Sequence, residues 1–237
     1  MSKKIIAISL ALVVMLTCFT ACKKKRETTK INGSDYIVVT DKNGNPIINE
    51  KNEVVVVVTD REGEVLTYEN GEDQTRNLQL KEPLESDGVI HGSNYRFTKL
   101  SGWESYGNTR ICKEKTDNKC YYQFVKIKEL DEEITIESYL ETVDGQNEQI
   151  IPALEADGKT LTIEKGNETI SSANINTHVR KYKITDASGN VTHYAETYYF
   201  VAGSMIYAVN YACEDGIGYD ASFDFGNYLK TGFTYVD

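Results

Sequence analysis

The sequence predicts an α+β fold in which antiparallel hairpins outnumber helices, with a small β repeat ahead of the main domain. Three observations lead there. Runs of β-branched and aromatic residues recur along the chain, and three of them end in an Asp-x-x-Gly turn at Asp41, Asp60 and Asp186. Ile136, Tyr139, Leu140 and Val143 fall at helical spacing with Thr135 placed as a cap. A closing stretch, residues 220 to 230, again reads as a helix, with Phe223 and Leu229 among its apolar positions and Gly232 just beyond.

The first 22 residues stand apart from this fold. Lys3 and Lys4 precede an apolar run over residues 5 to 16, which suits the core of a signal peptide and is shorter than the ~20 residues a spanning helix needs. The run closes on Phe19-Thr20-Ala21-Cys22, which resembles the lipobox of bacterial lipoproteins, with Phe19 where Leu is usual. Cys22 is the expected lipid-attachment site, with residues 1–21 removed, and Cys18 is the competing thiol. Lys23, Lys24, Lys25 and Arg26 follow, so residues 22–35 read as a lipid anchor with a basic tether that favours anionic head groups. The expected location is the outer face of the cell membrane, with acyl chains as the membrane contact.

Charge is uneven. Six of the 26 Lys and Arg lie in the first 26 residues, which hold none of the 36 Asp and Glu, so the body is strongly acidic. A body of that sign does not suit nucleic acid, whose binding rests on neutralised phosphates. Solubility, or attraction of a cation or basic partner, accounts for the excess.

Residues 36–70 contain a degenerate repeat, in which Val39-Thr40-Asp41-Lys42-Asn43-Gly44 returns as Val58-Thr59-Asp60-Arg61-Glu62-Gly63. Each copy reads as strand, turn, strand, with the Asp side chain closing the turn and Gly taking positive φ. The run of valines ending at Val58 is the strongest strand signal, and Pro46 limits a neighbour to an edge. Asp41, Asn43 and Asn45 imitate the start of a calcium loop, but Pro46 stands where that loop needs glycine, so no metal is expected. The repeat is read as a β-hairpin stalk. Residues 71–93, polar with Gly71, Pro83 and Asp87-Gly88, are read as a linker, and residues 94–237 as the main domain.

Within that domain Phe97 and Leu100-Ser101-Gly102-Trp103 come first, followed by strands at residues 108 to 113 and 121 to 127 around a turn at Thr116-Asp117-Asn118. Strands at 161 to 164 and 175 to 184 precede the turn at Asp186, and arms at 191 to 201 and 205 to 213 meet at Gly203-Ser204. This order, from Gly-Trp through a hairpin, a Tyr-Leu helix, the Tyr198-Tyr199-Phe200-Val201 strand and the Ile206-Tyr207-Ala208-Val209-Asn210-Tyr211 strand to a closing helix with Leu229-Lys230, resembles the PsbP-like superfamily. That superfamily includes a photosystem subunit, a Ran-binding protein and bacterial lipoproteins such as DcrB and LpqN. The resemblance implies an antiparallel sheet with helices on both faces, an α-β-α sandwich, and a protein-binding task without a shared active site. Pro152 and the pair Cys112 and Cys120 depart from the pattern.

Catalytic constellations are thin. His91, His178 and His193 are the only histidines, and none shares metal-ligand spacing with another. Cys213 alternates in phase with Tyr207, Val209 and Tyr211 and so points into the core as an inert thiol. No cofactor, metal or catalytic residue is expected. Cys112 and Cys120 lie equidistant from Thr116 and are a disulfide candidate across a hairpin, the alternative being two free thiols. Tyr194, Tyr198 and Phe200 share one strand face and are the ligand-binding candidates, the alternative being a sheet face packed beneath a helix. The functional expectation is a non-enzymatic binding or scaffolding module for an envelope protein or component. The alternatives are a glycan or small-molecule receptor using the Tyr-rich face, and an envelope enzyme.

Overall fold

The computed structural model describes residues 26–106 and 110–236. The signal segment and the expected attachment site Cys22 lie outside the described residues. No helix among the described residues is long and apolar enough to cross a membrane.

The Asp-x-x-Gly turns share one geometry. Asp41 Oδ1 accepts from the backbone N–H of Asn43 and Asn45 at 2.8 and 2.9 Å, Asp60 Oδ1 from Glu62 and Glu64 at 3.0 and 2.8 Å, and Asp186 Oδ1 from Ser188 and Asn190 at 2.9 Å each. Each carboxylate thereby satisfies two donors that the reversal would leave unpaired. Each repeat copy holds more than one turn, however. The N–H groups of Val39, Ile47 and Val55 donate cyclically to the carbonyls of Val55, Val39 and Ile47 at 3.0, 2.9 and 2.9 Å. Val58, Leu66 and Gln74, each 19 residues on, close the same ring at 2.8, 3.0 and 2.8 Å. A second turn in each copy makes this closure possible, and its equivalent positions Asn52 and Gly71 both take positive φ.

Within the segment read as a tether, strand structure begins at Thr29. Strands β1 (Thr29–Ile31) and β2 (Ser34–Tyr36) pair across Asn32-Gly33, where both residues have positive φ as a type I′ hairpin requires. Ile31 joins Val54, Val56 and Leu80 in a small core shared with β3 (Glu53–Val57), which pairs with β4 (Thr75–Gln79).

Residues 71–93 are not a linker. Besides β4 they hold β5 (Leu84–Ser86) and β6 (Val89–His91), joined by a second type I′ turn at Asp87-Gly88. With β7 (Tyr95–Thr98) and the terminal β15 (Phe233–Tyr235) they form a four-stranded antiparallel sheet in the order β15-β7-β6-β5. Ile90 packs into the main core beside Phe97 and Phe233, so the main unit begins before residue 94. Asn52 ties the repeat to this sheet. Its side chain is fully buried, donates to the carbonyls of Gly92 and Tyr95 at 2.9 Å each, and accepts from Arg96 Nε at 2.7 Å. The repeat is therefore docked against the domain, not extended from it as a stalk.

The large sheet is built from β8 (Trp103–Tyr106), β9 (Arg110–Lys113), β10 (Cys120–Glu129), β11 (Thr160–Ile170), β12 (Ile175–Thr185), β13 (Val191–Ala202) and β14 (Met205–Glu214). All neighbours are antiparallel, in the order β11-β12-β13-β14-β10-β9-β8. Thr135 caps α1 (Ile136–Gln149) in a reciprocal box with Ser138, and Pro152 opens a separate short α2 (Ile151–Ala156). The closing helix α3 (Phe225–Gly232) starts five residues later than expected, at the N-cap Asp224, and Gly232 is its last residue.

The protein is mostly antiparallel sheet with few helices, and the expected pair of helical layers is not what forms. On one face α1 lays Leu140, Tyr139 and Ile136 over Tyr199, Ala208 and Ile127. The other face is covered chiefly by the four-stranded sheet, with the eight-residue α3 beside it. Phe97 and Trp103 reach Tyr122 at ring separations of 5.0 Å each, which fills the space between the sheets with aromatic side chains. The second sheet replaces a helical layer because β6, β7 and β15 supply Ile90, Tyr95, Phe97 and Phe233 to that core.

Register also separates Cys112 from Cys120. Cys112 pairs with Tyr121, one residue away from the symmetric position, and neighbouring residues of a strand point to opposite faces. Cys112 packs with Tyr121 and Ala212, and Cys120 with Tyr122 and Tyr211, so the expected bridge between them spans the sheet and does not form.

Candidate functional site

Tyr194, Tyr198 and Phe200 do share one face of β13, but two of them are interior. Tyr198 and Phe200 are 0% and 1% exposed, packed with Phe225 and Phe233 beneath α3 and the second sheet. The broad aromatic platform is thus a core face. Tyr194 alone stands at its rim, with its ring 4.9 Å from Tyr219.

Between Tyr194 and Tyr198 on β13 lies Glu196, which is 3% exposed. Its carboxylate accepts from Tyr194 Oη at 3.0 Å and from Tyr198 Oη, and pairs with Lys181 Nζ at 2.8 Å across the β12–β13 ladder. Lys181 also faces Glu168 Oε1 at 3.7 Å. Burial draws the Lys181 ammonium down, but the bond to Glu196 and the charges of Glu196, Glu168 and Asp224 outweigh it, so its pKa ends above the ordinary value. Burial first, and Glu196 second, push both tyrosine hydroxyls up, so they stay protonated donors. Gly226 lets α3 close over this group, for a Cβ there would lie 2.8 Å from Glu168 Oε2 and against Tyr198 Oη.

Above the cluster is a hollow of about 140 Å³ lined by Thr162, Glu164, Lys181, Lys183, Tyr194 and Tyr219. Of its lining charges Lys181 is already paired with Glu196, and the rest of the lining offers two aromatic rings, one further ammonium and one further carboxylate. Drug-sized ligands fill ~300–1,000 Å³, so a hollow of this size matches one side chain or one compact ring. Lys181, Glu196 and Tyr219 did not stand out in the sequence. The available signal was Glu196 at an inward position of the alternation that runs Tyr194, Glu196, Tyr198, Phe200.

The remaining candidates do not converge. Cys213 lies in the core with Tyr194 and Tyr211, as its alternation suggested, whereas His193 and His178 alternate to the opposite face. Contact with Cys120, and burial after it, hold the Cys213 thiol above its ordinary pKa. His91 sits by Asn52, with Nδ1 3.2 Å from Asn52 Oδ1, and burial followed by the Arg96 charge lowers its pKa to about 4. Among the described residues no three metal-binding side chains gather. On the α1 face, Arg180 grips Asp144 through Nε and Nη2 at 2.8 and 3.1 Å, and Lys165 joins it at 2.9 Å, which clamps the helix to β12 and β11. Two larger hollows lie elsewhere on the surface: about 380 Å³ beside Asn167, Asn176 and His178, and about 430 Å³ beside Glu104, Tyr106 and Lys113.

No family model matches the chain, and no curated protein matches it in sequence. Among solved structures, it is similar to the solution structure of cyanobacterial PsbP from Synechocystis sp., with a TM-score of 0.38 and 10% sequence identity over 60% of this chain and 86% of that one.

Proposed function

We propose that the protein is a lipid-anchored, extracytoplasmic binding or scaffolding module with a PsbP-like main domain, and that it receives a side chain of an envelope protein in the hollow between Tyr194 and Tyr219. The observation that carries this reading is the hollow itself. It places two aromatic rings and the charges of Lys183 and Glu164 around a space of about 140 Å³, beside a Lys181 already paired with Glu196. Small pockets with aromatic walls are the usual seats of the few side chains that dominate a protein interface. Anchoring rests on the apolar run, the Phe19-Thr20-Ala21-Cys22 motif and the basic cluster that follows. Confinement to a membrane surface raises the effective concentration of neighbouring envelope proteins.

A photo-crosslinker at Lys183 in the membrane-bound protein tests the reading. The expected result is a discrete adduct to an envelope protein that is lost in Tyr219→Ala, with the thermal transition unchanged. Crosslinking at Lys183 no stronger than at Lys128 on the far end of β10 would rule the hollow out.

A further inference from the structure

We infer that Cys120 and Cys213 form a disulfide site that staples β10 to β14 in the middle of the large sheet. The two residues are directly opposed in the antiparallel ladder, where Cα atoms stand ~4.5–5.5 Å apart, inside the ~4.4–6.8 Å range that a disulfide spans. Their sulfurs lie 2.7 Å apart with both side chains fully buried. Tyr211 Oη sits 3.1 Å from Cys213 Sγ and 3.7 Å from Cys120 Sγ. Gly218, at φ +77°, closes the loop above them so tightly that a Cβ would stand 2.8 Å from Cys120 Cβ and 3.2 Å from its Sγ. All three cysteines are thiols in the structure, and Cys112 packs with Tyr121 and Ala212 on the opposite face, out of reach of the other two.

Closure needs an oxidant, and a small-molecule or protein disulfide supplies it by exchange. The thiolate of one cysteine attacks a donor sulfur and releases one donor thiol, leaving a mixed disulfide. The thiolate of the other then attacks the chain sulfur of that mixed disulfide and releases the second donor thiol. The chain loses two electrons, the donor gains them, and the two thiol protons end on the two donor thiols. Because the Gly218 loop and Tyr211 seal the pair, exchange belongs to folding, before that loop closes, and the finished bond is sheltered from reductant. The site stands on the geometry of the ladder. Only its oxidation in the cell rests on the extracytoplasmic location proposed above.

The test refolds the purified, reduced full chain with oxidised glutathione, alkylates free thiols under denaturing conditions, and maps peptides without reductant. Expected is a peptide pair joined through Cys120 and Cys213 with Cys112 alkylated. Bridging the 93-residue separation should raise Tm by on the order of 10 °C over the reduced chain, an increment kept in Cys112→Ala and absent from Cys213→Ala. Alkylation of all three thiols after refolding, or a linkage through Cys112, overturns the inference. The same mapping on protein alkylated in intact cells separates the two readings. A bridge formed in refolding but missing in cells leaves the site standing and counts against the extracytoplasmic location.

Discussion

Replacing Asn52 tests whether the repeat and the main domain share one core. The side chain is fully buried, makes two 2.9 Å bonds to backbone carbonyls and accepts one from the Arg96 guanidinium at 2.7 Å, all from a backbone at φ +56°. Neutral bonds contribute ~1 kcal/mol each and a charge-assisted one ~2. Alanine in the left-handed region costs ~1 kcal/mol more. Asn52→Ala should thus lose about 5 kcal/mol, and Asn52→Gly, which escapes the backbone penalty, about 1 kcal/mol less. The assay is urea unfolding followed by the fluorescence of Trp103, the sole tryptophan, which lies in the main core and not in the repeat. A docked repeat moves that midpoint in both variants. An unchanged Trp103 midpoint, with only the far-UV signal altered, would refute the reasoning and leave the repeat as an independent unit.

Protonation of His91 should act at the same junction. Its folded pKa of about 4 lies below the 6.5 of an unfolded histidine, so the unfolded chain takes up a proton that the folded one refuses, and stability is lost as pH falls from 6.5 towards 4. The full gap corresponds to about 3 kcal/mol, which solvent at the half-buried ring cuts to about 1 to 2 kcal/mol; His91→Gln should flatten stability over that window, and an unaltered slope would contradict the assignment. Gly226→Ala should cost about 2 kcal/mol in thermal denaturation, because its Cβ meets the buried Tyr198 hydroxyl, whereas Gly145→Ala in α1, with nothing within 4 Å, should gain ~0.5–1 kcal/mol; equal effects at the two sites would dismiss the close approach of α3.

Local chemistry was legible where one residue type dictates one geometry. The Asp-x-x-Gly turns, the Thr135 cap and the long arms of β12, β13 and β14 all follow from side chains acting within a few residues. What escaped was decided by pairing partners far along the chain. β4, Thr-Arg-Asn-Leu-Gln, has Leu78 as its one apolar residue and shows no alternation in sequence, so its strand character comes from pairing with β3. Asn32-Gly33 and Asp87-Gly88 are strong hairpin signals, but their arms of three residues are too short to announce themselves. A register offset of one residue sent Cys112 and Cys120 to opposite faces. Glu196 and Lys181 read as surface charges until the sheet laid them side by side beneath Tyr194.

The first strand begins at Thr29, and that position would set the reach of a lipid-anchored chain. A lipid on Cys22 would leave six residues between it and β1, a leash whose seven Cα steps from Cys22 to Thr29 span at most ~25 Å even when fully stretched. Ile31 is locked into the small core, and Asn32 holds the backbone on the far side of the repeat, donating to the Gln79 carbonyl at 2.8 Å and accepting from the Lys81 N–H at 2.7 Å. The leash therefore cannot lengthen without unfolding β1. Anchored in the proposed way, the protein would ride close to the bilayer and meet partners that lie near the head groups.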